Sequence, residues 1–160
     1  MFSIIAAVGK NNELGKNNGL IFHIKEDMKF FRETTTNHKV VMGLNTWKSL
    51  PGKLKNRENI VISEKDVPGP DLIIKNLEAF IEKNQASSEE FFIIGGGMIY
   101  REFLPHAKNL YLTEIDATDP SATVFFPEFD RSKYQKKIIK TGSENSLNYK
   151  IVHYSLKEEK

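Results

Sequence analysis

The sequence predicts an α/β fold with a mostly parallel sheet, and three features of the chain support this. Short apolar runs, typical of strands buried on both faces, recur along the first two thirds of the chain. Segments with apolar residues at helical spacing lie between several of these runs. The last third instead shows two strand-like segments around a polar turn, which favours an antiparallel hairpin at the sheet edge.

Six apolar runs are predicted as strands of this sheet, over residues 2–8, 39–43, 59–63, 72–74, 91–95 and 110–115. Helices are predicted over residues 24–35, 77–83 and 98–104, and Pro105 ends the last of them. Strands that alternate with helices form βαβ units, whose strands run parallel. The hairpin is predicted from strands at residues 134–139 and 149–156, with a turn over residues 142–146.

Length and composition indicate one domain over residues 1–160 and argue against several functional classes. The 160 residues are the size of a single domain and show no internal repeat or linker. A net charge of +2, with lysines dispersed among acidic residues, argues against a nucleic-acid binder. The chain has no cysteine and its four histidines lack metal-ligand spacing, so no metal is expected. With only short apolar runs and no leader pattern, we expect a cytoplasmic protein without membrane association.

Two glycine-bearing junctions between a predicted strand and a predicted helix are candidate phosphate-binding sites. At Gly95-Gly96-Gly97 the missing Cβ atoms leave room for a ligand, and the helix start offers free N–H groups. The other junction is Gly43, which leads into Asn45 and Thr46. A tight turn at the three glycines, or a helix cap at Asn45 or Thr46, would be simpler explanations. Two such junctions nevertheless favour a dinucleotide, which binds where parallel strands end.

Asp27 is the acidic residue that the sequence marks as a candidate for the functional site. It lies in the first turn of its predicted helix, where the helix dipole alone would explain a surface carboxylate. However, Asp27 shares a helix face with Ile24 and Phe31, so it should point toward the interior, where a carboxylate needs a partner or a function. The glycine- and asparagine-rich segment at residues 9–23, just before this helix, predicts a mobile loop that covers the site.

Seven motifs, in order along nearly the whole chain, resemble those of bacterial dihydrofolate reductases. They are Ser3-Ile4-Ile5-Ala6-Ala7; Gly15 with Asn17-Asn18-Gly19-Leu20; Glu26-Asp27-Met28-Lys29-Phe30-Phe31; Val41-Met42-Gly43 with Thr46-Trp47; Arg57 with Asn59-Ile60-Val61-Ile62-Ser63; Ile94-Gly95-Gly96-Gly97 with Tyr100; and Tyr111-Leu112-Thr113-Glu114-Ile115. The resemblance implies an eight-stranded, mostly parallel sheet with about four flanking helices. It also implies reduction of 7,8-dihydrofolate to tetrahydrofolate by hydride transfer from NADPH, in a monomer that diaminopyrimidine or pteridine antifolates would inhibit.

The same resemblance implies roles for individual residues. Asp27 would be the catalytic residue that orients the pterin and promotes protonation of its N5, with Thr113 supporting it. Arg57 would bind the α-carboxylate of the folate glutamate, which suits a planar two-pronged donor. The other substrate-binding residues would be Ile5, Phe31, Leu50, Leu54, Ile94 and Tyr100. The cofactor-binding residues would be Ala7, Leu14, Gly15, Asn18, Leu20, Gly43, Asn45, Thr46, Ser63, Lys75, Gly95, Gly96, Gly97, Met98, Ile99 and Tyr100.

The chain departs from the family pattern around the expected 2′-phosphate of NADPH. Leu44 stands where the family usually has an arginine, and Glu64 follows Ser63. Lys65 or Lys75 is a candidate for the missing positive charge. These changes predict that NADH is tolerated as a weaker hydride donor.

Two alternative functions remain open from the sequence. One is a related reductase of a ribosylated pyrimidine, against which Asp27 and Arg57 argue because they fit a pterin that bears a glutamate. The other is a catalytically silent folate- or nucleotide-binding protein, suggested by Leu44 and by Ile21-Phe22, which replace the usual Pro-Trp. Turnover of dihydrofolate distinguishes the three.

Overall fold

The computed structural model describes residues 1–16, 19–20 and 22–158. In chain order its strands and α-helices are β1 (Phe2–Val8), β2 (Glu13–Lys16), β3 (Gly19–Leu20), α1 (Lys25–Thr35), β4 (Lys39–Gly43), α2 (Leu44–Ser49), β5 (Glu58–Ile62), β6 (Leu72–Ile74), α3 (Leu77–Asn84), β7 (Phe91–Gly95), α4 (Gly97–Phe103), β8 (Ala107–Ile115), β9 (Val124–Phe125), β10 (Tyr134–Glu144) and β11 (Leu147–Leu156). Short 3₁₀ turns precede β8 and β10.

Eight of the strands form one sheet in the order β10-β11-β8-β1-β7-β4-β5-β6. The neighbours from β8 to β6 are parallel, whereas β10 pairs with β11, and β11 with β8, in the antiparallel direction. The predicted mostly parallel sheet with an antiparallel hairpin at its edge is therefore confirmed. Parallel order places the carboxyl ends of β1, β4, β5 and β7 at the same edge, which is where ligands bind in such sheets.

The core lies on both faces of this sheet because successive side chains of a strand point in opposite directions. Along β1, Phe2 and Ile4 pack into the larger apolar cluster, which includes Phe80 of α3 and Phe103 of α4. Ile5 points to the other face, where a second cluster includes Phe31 of α1. This alternation explains why the strand reads as a continuous apolar run, since each face is covered by helices.

The C-terminal hairpin differs from its prediction in the length of the turn. The expected turn over residues 142–146 is wrong: β10 continues to Glu144, which pairs with Leu147 across a two-residue turn. Asn145 and Ser146 both have positive φ, 51° and 65°, as the favoured two-residue turn requires. Most of β10 is exposed at the sheet edge, so burial imposes no apolar pattern that would reveal its length.

The segment predicted as a loop over residues 9–23 instead contributes two strands in its described part. β2 pairs with β3 and with β9, which gives a second, three-stranded sheet. These pairings are made by backbone groups in a polar stretch, so the side-chain pattern carries no signal of them. Asn17, Asn18 and Ile21 lie outside the described residues. Among the described helices, none is both long and apolar enough to cross a membrane.

Candidate active site

Asp27 is placed by the first turn of α1 against the sheet. Its Oδ1 accepts a hydrogen bond of 2.5 Å from the Thr113 hydroxyl, and Thr113 on β8 is only 1% exposed. Burial raises the pKa of Asp27 above its ordinary value, and the bond from Thr113 opposes this shift only in part. The structure therefore joins the two residues predicted to act together, and it gives the carboxyl group a partner in an apolar region.

Five apolar residues predicted to bind substrate form a wall next to Asp27. Phe31 lies one turn further along α1 than Asp27, and residues four apart share a helix face. The members of the wall come from α1, two strands and the chain after α2, and they join a single apolar cluster with Val40, Met42, Val61 and Phe92 at its centre. They are Ile5, Phe31, Leu50, Leu54 and Ile94. A flat heterocycle could lie against this surface with one edge at Asp27.

Arg57 lies just before β5, at the Phe31 end of this wall. Its guanidinium carbon is 5.9 Å from the centre of the Phe31 ring, and Nη1 donates to the Thr35 hydroxyl at 3.0 Å. Nε donates to the carbonyl of Lys55 at 2.9 Å, while no carboxylate among the described residues pairs with this side chain. Burial and the positive charge of Arg32 lower the pKa of Arg57. The Arg57 guanidinium therefore still has N–H groups that can donate to the carboxylate of a ligand.

The two glycine-bearing junctions lie side by side, because β4 and β7 are neighbouring parallel strands. Thr46 from the first junction points at the second: its Oγ1 is 3.5 Å from where a Cβ of Gly95 would be and 3.6 Å from that of Gly96. Gly95 has φ of +124°, which L side chains rarely adopt, and a Cβ there would also lie 3.3 Å from the Tyr100 hydroxyl. The arrangement is a cradle of backbone and one hydroxyl, which fits a phosphate.

The helix-cap interpretation of Asn45 and Thr46 is wrong. The residue preceding α2 is Gly43, which has no side chain, and Asn45 and Thr46 lie within the first turn of the helix. Asn45 is exposed within the first turn, and the Thr46 side chain faces the neighbouring junction. Both are therefore available to a ligand at this edge.

Tyr100 connects α4 to the middle of the site. Its hydroxyl donates to the carbonyl of Ile5 at 2.8 Å, and the side chain is buried. Burial, and then the negative charge of Asp27, raise the pKa of Tyr100 far above its ordinary value. The phenol consequently stays a neutral donor and fixes α4 to β1 beside Asp27. Of its neighbours on α4, Ile99 is buried and Met98 is 72% exposed.

Several of the residues predicted to bind the cofactor come from the segment that lies across this edge. Leu14 on β2 is buried, and Gly15 accepts a backbone hydrogen bond of 3.1 Å from Thr123. Gly97 of the second junction lies against Val124 and Leu14, which brings β2 and β9 over the start of α4. Ala7 on β1 is half-buried and packs with the cluster that contains Ile24, Ile115 and Tyr149. The predicted Asn18 is outside the described residues, and Leu20 is described only as part of the β3 backbone.

Ser63 and Lys75 follow the adjacent strands β5 and β6, but their polar groups already have partners. The Ser63 hydroxyl accepts from the Lys65 amide at 3.0 Å and donates to the Lys65 carbonyl at 2.9 Å. Lys75 Nζ is 3.0 Å from Asp66 Oδ1, and both side chains are exposed. The sequence did not single out Asp66, since an exposed acid nine residues from a lysine carries no local signal. An anion that binds at Lys75 would have to compete with this pair.

Glu13 on β2 is a buried carboxylate that the sequence did not single out either. It is 2% exposed, and its two oxygens accept the backbone N–H groups of Asn11 at 2.7 Å and Asp119 at 2.6 Å. The second bond joins residues 106 positions apart in the chain. Together with the bond from Lys10 N–H to the Ala117 carbonyl at 2.9 Å, it fastens β2 to the loop after β8.

Gly9→Ala is expected to destabilise the protein by about 1–3 kcal/mol, the usual cost of overpacking. A Cβ at Gly9 would lie 2.6 Å from Glu13 Oε1, 2.9 Å from the Ala117 carbonyl oxygen and 2.9 Å from Phe22 Cε2. The Ala117 contact is with backbone, which cannot rotate away. Urea unfolding measures the change, and Gly52→Ala is the control because no atom of the described residues lies within 4 Å of its added Cβ. Equal urea midpoints for the two variants would show that the chain around Gly9 can shift to make room for the added methyl group.

Comparisons with known proteins agree on one family. A family model described as dihydrofolate reductase matches residues 1–156. The dihydrofolate reductase of Buchnera aphidicola subsp. Acyrthosiphon pisum is 38% identical over 152 residues, 91% of each chain. That of Neisseria gonorrhoeae is 37% identical over 158 residues, 95% of this chain and 96% of the relative. A structure of Enterococcus faecalis dihydrofolate reductase complexed with NADP(H) and RAB-propyl has a TM-score of 0.87 at 26% identity, covering 99% of this chain and 97% of that one.

Proposed function

This chain belongs to the dihydrofolate reductase family, and from that membership we propose which of its residues perform the reaction. The chain reduces 7,8-dihydrofolate to 5,6,7,8-tetrahydrofolate with NADPH, which supplies the hydride that reaches C6 of the pterin. The observation that carries the assignment of residues is the Asp27 carboxyl group, held by Thr113 at 2.5 Å in an otherwise apolar wall. The family match and the relatives favour this reaction over the related reduction of a ribosylated pyrimidine.

Asp27 orients the pterin and favours its protonated form. A carboxylate accepts two hydrogen bonds in one plane, which suits the N3–H and 2-amino group along one pterin edge. Because the site is desolvated, a negative charge at this edge interacts strongly with a positive charge that develops on the ring. A protonated N5 makes C6 a better acceptor of hydride. Asp27 thus contributes through the ring, while Thr113 fixes which way the carboxyl group faces.

Arg57 and the apolar wall hold the rest of the substrate. Ile5, Phe31 and Ile94 would contact the flat rings and exclude water from them. Arg57 would bind the α-carboxylate of the glutamate, since its N–H groups that face away from Thr35 and Lys55 form a two-pronged donor. Diaminopyrimidine and pteridine antifolates would present the same donor edge to Asp27.

The glycine cradle and the segment over it would hold NADPH. Gly95, Gly96 and Thr46 leave space and donors for the pyrophosphate, as the distances from Thr46 Oγ1 to the missing Cβ positions support. Leu14, Gly15 and Tyr100 lie where the covering strands meet α4 and would border the nicotinamide. Their task is to place the two rings in contact and to exclude water.

The preference for NADPH over NADH is expected to increase in the double variant Leu44→Arg with Glu64→Ser. Leu44 packs against the apolar cluster and offers no charge, Glu64 is exposed, and Lys75 is already paired with Asp66. An added charge-assisted contact to the 2′-phosphate should raise the NADPH/NADH ratio of kcat/KM about tenfold, mainly through KM and more strongly at low salt. Glu82→Lys changes an exposed acid of α3 by the same two charge units and controls for net charge. An unchanged ratio would place the phosphate contacts elsewhere.

The experiment that tests the proposed function follows the absorbance of the reduced cofactor with dihydrofolate, using NADPH and NADH in separate reactions. We expect turnover with both and a higher kcat/KM with NADPH. Antifolate binding without any oxidation of NADPH would instead indicate the catalytically silent binding protein. Turnover of a ribosylated pyrimidine alone would indicate the related reductase.

The chain is further proposed to act as a single-domain monomer in the cytoplasm. One sheet takes strands from both chain ends, since β1 lies between β7 and β8, and this supports one folding unit. Light scattering at enzyme-assay concentrations tests the monomer, and a dimer mass would reject it.

A further inference from the structure

The helix that carries Asp27 begins without a cap of its own. Ile24 precedes the first turn of α1, is 1% exposed, and offers no side-chain acceptor. Instead, the backbone N–H of Lys25 donates to the Glu144 carboxylate, at 2.9 Å to Oε2 and 3.2 Å to Oε1. These residues are 119 positions apart, so the cap comes from the C-terminal hairpin.

A second contact ties the same strand to the same turn. Lys140 Nζ lies 2.9 Å from Glu26 Oε2, and Lys140 and Glu144 both belong to β10. Below these contacts, Ile24 packs with Tyr149 and Ile151 of β11 in one apolar cluster. The hairpin therefore contacts all three residues that precede Asp27, namely Ile24 just before α1 and Lys25 and Glu26 in its first turn.

The position of Glu144 is itself well defined. It is the last residue of β10, pairs with Leu147, and is followed by the two-residue turn at Asn145 and Ser146. A tight turn of this kind fixes the register of both strands. Glu144 is therefore presented to α1 from the last hydrogen-bonded pair of the hairpin.

We propose that Glu144 is a positioning residue of the active site: by capping α1 it fixes the first turn and, through it, the location of the Asp27 carboxyl group. This inference rests on the proposed role of Asp27 in binding the pterin. An uncapped first turn frays, because its N–H groups have no partner inside the helix. Asp27 lies within that turn, and binding geometry is sensitive to displacements of about 0.5 Å.

Four variants test the proposal. Glu144→Ala removes the cap, whereas Glu144→Gln retains a side-chain oxygen that can accept from Lys25. Asn76→Ala is the matched control, since the Asn76 side chain caps α3 by accepting from Ala79 N–H at 3.0 Å, on a helix that carries no substrate-binding residue. Lys140→Ala removes only the exposed ion pair with Glu26.

The measurements are the melting temperature and the KM and kcat for dihydrofolate. The fluorescence of Trp47 gives the dissociation constants of NADPH and of trimethoprim, a diaminopyrimidine antifolate. For Glu144→Ala we expect KM and the trimethoprim constant to rise about three- to thirtyfold, the equivalent of a lost helix cap, with the NADPH constant unchanged. Glu144→Gln should keep most of the wild-type affinity for dihydrofolate and trimethoprim. Asn76→Ala should lower the melting temperature comparably and leave trimethoprim binding unchanged, and Lys140→Ala should leave it unchanged as well.

Two results would overturn the proposal. One is trimethoprim binding and KM within twofold of wild type in Glu144→Ala, which would make Glu144 a contributor to stability alone. The other is a Glu144→Gln variant as impaired as Glu144→Ala. If the alanine variant does not fold, Glu144→Asp gives the same test, because it keeps the charge but shortens the reach by one methylene. A wild-type protein that binds trimethoprim without turnover would contradict the proposed function instead, and the binding comparison would still be measurable.

Discussion

Asp27→Asn is expected to lower turnover near neutral pH by about 10²–10⁴-fold, the range of a lost acid–base contribution. Asparagine keeps the size of the side chain and an oxygen that can accept from Thr113, so α1 and the wall around it should be retained. What is lost is the negative charge that favours a protonated pterin. The defect should therefore shrink as the pH falls and solvent protonates the substrate. Steady-state kcat/KM between pH 5 and 8 measures this, and wild-type turnover at pH 7 would remove Asp27 from the mechanism.

The same variant should be more stable than the wild type at neutral pH. Burial raises the pKa of Asp27, so the folded state binds this proton more tightly than the unfolded state does. The ionised carboxylate therefore costs stability above the folded pKa, and this cost disappears as the pH falls through the folded pKa to the unfolded one. Melting temperatures of the two proteins should accordingly converge in acid. If the difference in melting temperature instead grew as the pH fell, the folded state would be stabilising the ionised form of Asp27.

The parallel part of the sheet was predictable because burial on both faces leaves an unbroken apolar run. The strands at residues 2–8, 39–43 and 91–95 have the predicted bounds for this reason, and the edge strand at residues 72–74 has them as well although none of its residues is buried. At the sheet edge the constraint weakens: β10 extends to Glu144, beyond the predicted residue 139, because its exposed side chains can be polar on both faces. β8 likewise begins at Ala107 instead of residue 110, directly after a 3₁₀ turn.

Within the candidate site, the residues predicted from helix faces and strand ends are brought together as expected. Asp27 faces inward because it shares a face with Phe31, and Thr46 meets Gly95 because neighbouring parallel strands end at one edge. Glu13 and Glu144 could not be found in this way. Each bonds a backbone N–H more than 100 residues away, and a backbone group has no sequence identity to match. Such contacts depend on tertiary structure alone.

Arg57→Lys is expected to weaken folate binding by about ten- to hundredfold while NADPH binding stays unchanged. A charge-assisted hydrogen bond contributes about 1.5–3 kcal/mol, and lysine keeps the charge but loses the planar fork. In this structure Arg57 donates to the Lys55 carbonyl and to the Thr35 hydroxyl, which sets the direction of its remaining N–H groups. One ammonium group cannot keep both of these bonds and still present two parallel donors to a carboxylate.

The measurement for Arg57→Lys compares dissociation constants for folate and for a pterin that lacks the glutamate. Only folate should lose affinity, because the wall and Asp27 are left intact. Arg32→Lys is the matched control. Arg32 on α1 is close enough to lower the pKa of Arg57, but its side chain is exposed and the substitution keeps its positive charge. Equal losses for folate and the tail-less pterin would mean that Arg57 supports the wall through Phe31, whose ring centre lies 5.9 Å from the guanidinium carbon, and that the glutamate is bound elsewhere.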